Sequence, residues 1–169
     1  MDFSKFETPD WLMIGGGAGI FIFGFFEWVT VSFAGIGSSS GGNVFDFFFT
    51  GTIPWLLVIG AAVITVLLAL DVLKQGQAPW PLILLAMTAV AALLLLIRLI
   101  FNPLDVPSEV DVGRGIGMIL SVVAGIVAAV GGYLNFTSKG GNIKELGDVG
   151  KLKASFSKTN DIPPPPPAF

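Results

Sequence analysis

Residues 81–101, PLILLAMTAVAALLLLIRLIF, carry no charge until Arg98. At a rise of about 1.5 Å per residue, a helix of that length spans the roughly 30 Å hydrocarbon core of a bilayer. A helix in a water-soluble core is seldom apolar on every side for so long. The run therefore points to lipid as solvent, and the composition agrees. Hydrophobic residues make up 53% of the chain and charged residues 12%, against roughly a quarter charged in soluble domains. The 169 residues suit one membrane domain.

The chain has no cysteine and no histidine. That removes disulfides, thiolate metal sites, cysteine nucleophiles and the commonest general base from consideration. The formal net charge is −3, and no basic patch suggests nucleic acid. With no nucleophile–base pair and no ligand cluster, neither an enzyme, a cofactor nor a bound metal is expected.

Four spans are expected, at about 11–33, 52–70, 81–101 and 115–134, within a membrane domain of residues 1–136. The first is introduced by Thr8-Pro9-Asp10, which reads as a hydroxyl N-cap, a proline at the first position and an acid in the first turn. A cleaved signal peptide is the rival reading, since Ser32-Phe33-Ala34 loosely resembles a cleavage site. The first ten residues lack the net positive charge of a signal, and the apolar run exceeds a signal core. Gly15, Gly16, Gly17 and Gly19 crowd this span, as in membrane helices whose neighbours approach closely. Residues 34–51 read as an outer loop whose Phe45, Phe47, Phe48 and Phe49 lie at the interface around Asp46. Asp71 and Lys74 are spaced to pair on the surface of the second helix.

In the fourth span Gly113, Gly117, Ser121, Gly125 and Ala129 recur at every fourth residue, an extended small-xxx-small packing stripe. A parallel stripe adds Ala124, Ala128 and Gly132. Packing inside the bundle is the simpler reading, and contact between subunits the sharper one. Residues 137–169 turn to Lys, Gly, Ser and Asn, a composition that cannot bury a core and predicts a disordered tail. Pro163, Pro164, Pro165, Pro166 and Pro167 are expected to adopt polyproline II, a stiff terminus that also offers a partner-binding ligand.

With four spans, Lys5, Lys74 and the tail lysines share one side while Arg114 lies on the other, so the positive-inside rule puts both termini in the cytoplasm. The outer loops hold Asp46, Asp105, Glu109 and Asp111, which read as solvated loop acids. Glu27 and Arg98 lie at similar depths if the first and third spans run straight outward. Pairing them would offset the cost of a charge in the membrane and pin the two helices together, with Arg114 as the alternative partner of Glu27.

The Thr8-Pro9 start, the Gly-rich first helix ending near Trp28, the Gly/Ser outer loop, Asn43-Val44-Phe45-Asp46 before the second helix and the proline-ending tail resemble a known pattern. It is that of small four-helix integral membrane proteins common in actinobacteria. The resemblance implies a topology and a host but no chemistry, since those proteins have no established activity. Glu27 departs from the uncharged residue usual at that position. The expectation is thus an all-α membrane protein of four transmembrane helices in the cell membrane. Its contacts are the lipid bilayer and other membrane subunits or copies of itself. It acts as a non-catalytic scaffold or accessory subunit, with a small oligomeric channel, transporter or holin-like pore as the alternative.

Overall fold

The computed structural model describes residues 5–33, 37–74, 78–101, 110–143 and Gly150. Four helices dominate: α1 (Thr8–Phe23), α2 (Ile53–Ala69), α3 (Trp80–Ile100) and α4 (Ile116–Ser138). Successive helices run antiparallel, and round the bundle the order is α1, α2, α3, α4, with α4 packed back on α1. Small residues set the spacing. A Cβ on Gly16 would come within 2.6 Å of the Ala124 carbonyl oxygen and 2.7 Å of the Ala128 Cβ, so α1 and α4 meet backbone on backbone. Gly17 faces Ala62 on α2, Gly125 faces Leu95 on α3, and Gly132 faces Thr88.

Among the described residues, three helical stretches are long and apolar enough to cross a membrane: Phe48–Ala69, Trp80–Ile100 and Ile116–Ser138. The first of these includes a wide π-helical turn, Phe48–Thr52, that leads into α2. The remaining helix, α1, is shorter. α1 has 16 residues and stops at Gly24, where a continuous span to residue 33 was expected. Val29–Phe33 is instead strand β1, at the centre of a three-stranded antiparallel sheet with β2 (Gly37–Ser40) and β3 (Val110–Arg114). The all-α expectation is corrected here, and the cause is local. Val29, Thr30 and Val31 are β-branched and favour extended backbone, and a partner strand is available on each side.

The sheet closes one end of the bundle. Thr30 stands opposite Ser40 on one side and Gly113 on the other. The wiring continues past the strands. Trp28 N–H donates to Gly42 O (2.9 Å), Gly115 N–H to Trp28 O (2.9 Å) and Gly117 N–H to Glu27 O (2.9 Å). The last of these satisfies an amide in the first turn of α4 that its own helix leaves unpaired. Gly42 has φ +125°, a conformation that favours glycine.

The other end, which carries the α2–α3 link, is held by side chains. Glu7 is the N-cap of α1, one residue earlier than expected, and its N–H donates to Asp10 Oδ2 (3.0 Å). Lys5 pairs with Asp71 at 2.7 Å, so Asp71 takes Lys5 rather than Lys74. Asp71 follows the last turn of α2 with φ +56°, the left-handed conformation common just past a helix end. α4 extends four residues beyond the expected 134, to Ser138. Pro163 to Pro167, with most of the expected tail, lie outside the described residues.

Candidate functional site

α3 buries one charge. Arg98 stands in the last turn of the helix and is 3% exposed. Its guanidinium carbon lies 3.8 Å from the centroid of the Phe47 ring, and that ring also stacks on Trp28, with centroids 6.5 Å apart and planes 17° from parallel. Trp28 is fully buried, and its Nε1 donates to Phe23 O at the end of α1 (3.3 Å). Indole, phenyl ring and guanidinium thus form one connected group under the sheet.

The loop that delivers Phe47 is fixed by short-range bonds. Asn43 Oδ1 accepts from Phe45 N–H (3.0 Å), and Asp46 Oδ2 accepts from Asn43 N–H (2.7 Å). The π-helical turn then folds back, with Gly51 N–H (2.7 Å) and Thr52 N–H (3.0 Å) both donating to Phe47 O. The hydroxyl of Thr52 reaches Val44 O at 3.3 Å. Phe47 turns inward while Phe48 and Phe49 remain 61% and 72% exposed.

Arg98 Nε and Nη2 are buried and have no hydrogen-bond partner among the described residues. A cation over a ring gains about 2 kcal/mol when desolvated, whereas burying an unpaired ion costs several kcal/mol. Ser121 Oγ and Trp55 Nε1 are likewise buried and unpartnered. All of these groups lie at the sheet end. The α3–α4 register, with Gly132 at Thr88 and Gly125 at Leu95, puts Ser121 level with Arg98 one turn further on.

The ion pair expected between Glu27 and Arg98 does not form. α1 ends before Glu27, so the residue lies in the turn to β1, with its side chain exposed. The equal-depth estimate assumed a helix that continues through Glu27, and it does not. Arg114 is no partner for Glu27 either. It closes β3, is exposed, and donates Nε–H to Leu99 O (2.8 Å), capping a carbonyl in the last turn of α3. Of the packing stripe, Gly113 lies in β3, and Gly117 packs against Phe23, Phe26 and Glu27 at the end of α1. Ser121 and Gly125 are buried, and Ala129 is half-buried. Asp46 works as a loop cap, while Asp105 and Glu109 lie outside the described residues. Among the described residues no three His, Cys, Asp or Glu side chains gather as a metal site would need.

Two members of the site, Phe47 and Trp28, were not marked by sequence reasoning as partners of Arg98. The run Phe45-Asp46-Phe47-Phe48-Phe49 signals an aromatic cluster but not which ring turns inward. At the opposite end a cavity of about 330 Å³ is lined by Glu7, Asp10, Thr65, Trp80, Asn135 and Lys139 among others. Its polar groups pair internally, Asn135 Nδ2 donating to Asp10 Oδ1 (3.3 Å) and Lys139 lying 3.7 Å from Glu7. No family model matches the chain, and no curated protein matches it.

Proposed function

We propose that the chain is a non-catalytic multi-pass protein of the cell membrane, acting as a scaffold or accessory subunit of a membrane complex. The observation that carries this reading is the sealed middle of the bundle. Ile20, Val58, Ala91, Leu95, Ala124 and Ala128 are buried there in one cluster. It separates the polar groups at one end, Asp10, Thr65 and Asn135, from Arg98 and Ser121 at the other. A single copy so packed offers water or ions no continuous polar path, which weighs against transport through its own core. Outward, the helices present Ile22, Leu56, Val63, Leu93, Ile126 and Val130, the surface that lipid or a neighbouring span would cover.

Both termini are cytoplasmic in this proposal. Lys5, Lys74 and Lys139 stand at the end away from the sheet, and Arg114 stands at the sheet, the asymmetry of a positive-inside topology. The sheet then faces outward.

The test is gentle extraction of tagged protein from native membranes, followed by native mass spectrometry. A stoichiometric second polypeptide is the expected result. A homogeneous self-oligomer that conducts ions in liposomes would overturn the proposal in favour of a channel or holin-like pore.

A further inference from the structure

We propose that Arg98 and Ser121 form a binding site for a phosphate group at the sheet end of the bundle, supplied by a phospholipid headgroup or by free phosphate. The site stands whether or not the chain is an accessory subunit.

Three observations converge on an anion. The unpartnered nitrogens of Arg98 are Nε and Nη2, the side-on edge of the guanidinium, whose two parallel N–H groups match two oxygens of one phosphate. Ser121 Oγ, fully buried and without a hydrogen-bond partner among the described residues, lies at the height of Arg98 on the neighbouring helix by the α3–α4 register and adds a hydroxyl donor. A second cation, Arg114, lies beside Arg98, while the carboxylates of this end, Glu27, Asp46 and Asp111, are exposed. Arg114 bonds Leu99 O, the residue after Arg98, through Nε alone, which leaves both of its Nη groups outside any hydrogen bond among the described residues. Ser121 itself lies in the second turn of α4, which begins at Ile116.

Among the described residues no carboxylate pairs with either arginine. Two guanidinium groups suit phosphate, with its higher charge and larger number of acceptors, better than a single carboxylate. Position fits as well. Arg98 is two residues from the end of a helix long enough to cross a bilayer, the level at which headgroup phosphates lie. Ile100 and Phe101 are exposed just beyond it, beside where acyl chains would run. Phe47, half-buried just before the π-helical turn, packs its ring against the guanidinium carbon of Arg98.

The experiment measures thermal unfolding of the full chain, delipidated in non-ionic detergent. The probes are phosphatidylglycerol, diacylglycerol with the same acyl chains, and inorganic phosphate against chloride at equal ionic strength. A phosphate-bearing probe at a hundredfold excess over its dissociation constant should raise Tm by about 5 °C, and diacylglycerol should not. A rise that requires phosphatidylglycerol assigns the phosphate to lipid, and an equal rise with inorganic phosphate assigns it to the free anion. Arg98→Gln should abolish the response. Ser121→Ala should halve it or more while leaving the unliganded protein at least as stable, because the hydroxyl it removes has no partner. If Arg98→Gln does not fold, Ser121→Ala and Arg98→Lys decide. No response to any phosphate-bearing probe, or a wild-type response from the serine and arginine variants, overturns the proposal.

Discussion

At the end away from the sheet, charged and polar side chains pair with one another across helices: Lys5 with Asp71, Lys139 with Glu7, Asn135 with Asp10. At the sheet end the cross-links are backbone amides, aromatic rings and the bond from Arg114 to Leu99 O, and among the described residues the buried Arg98 Nε and Nη2 and Ser121 Oγ have no hydrogen-bond partner. The same four helices are thus closed by two different means. Exposed ion pairs contribute little and weaken with salt. A sheet locked to helix ends, with an indole packed beneath it, resists opening far more. The comparison teaches that the sheet end can tolerate unsatisfied donors because other contacts hold it. The polar end has no such reserve and pairs what it buries.

Substitutions at the two ends should separate accordingly. Trp28→Ala removes a fully buried indole from beneath the sheet and should cost about 3–5 kcal/mol in thermal or denaturant unfolding in detergent. A loss under 1 kcal/mol would show that the sheet end is not the stronger closure. Gly117→Val is next. Its Cβ would lie 2.8 Å from Glu27 O and 2.9 Å from Phe23 O, both backbone atoms, and such overpacking costs about 1–3 kcal/mol. Gly15→Ala serves as its control, because no atom lies within 4 Å of a Cβ there and its exposed helical position suits alanine.

Asn135→Ala leaves the inner carboxylate of Asp10 without its side-chain donor and should cost about 1–2 kcal/mol. Lys5→Ala breaks an ion pair whose side chains are 51% and 75% exposed, and should change stability by less than about 0.5 kcal/mol, with no added effect in high salt. A larger loss from Lys5→Ala than from Trp28→Ala would invert the comparison.

Much of the bundle could be read from residue order. The spans at 52–70, 81–101 and 115–134 fall within a few residues of α2, α3 and α4, because long apolar runs bounded by Pro, Asp and Gly leave few alternatives. The first span was read too long. Val29 to Phe33 is as apolar as a helix segment, and hydropathy alone cannot register that Val110 to Arg114 will arrive as its partner. That single mistake of geometry also placed Glu27 in the membrane and beside Arg98. The stripe in α4 was legible from its spacing, since Gly125 and Ser121 do face the interior, whereas Gly113 shared the spacing without sharing the helix. Arg98 stood out in the sequence as the one costly residue of its span. Its ring partner Phe47 was hidden among four neighbouring phenylalanines, because the choice between inward and outward depends on a π-helical turn with no clear sequence signal.

The central position of β1 in the sheet sets a timetable for synthesis. Its partner β2 is made almost at once, but β3 emerges only after α2 and α3 have been completed. Until then one edge of β1 stands open, and the carbonyls of Glu27 and Trp28 await the amides of Gly117 and Gly115. Closure therefore comes late, with the arrival of the last helix, and a nascent chain cut short before β3 would hold its first helices together without the latch that finishes them.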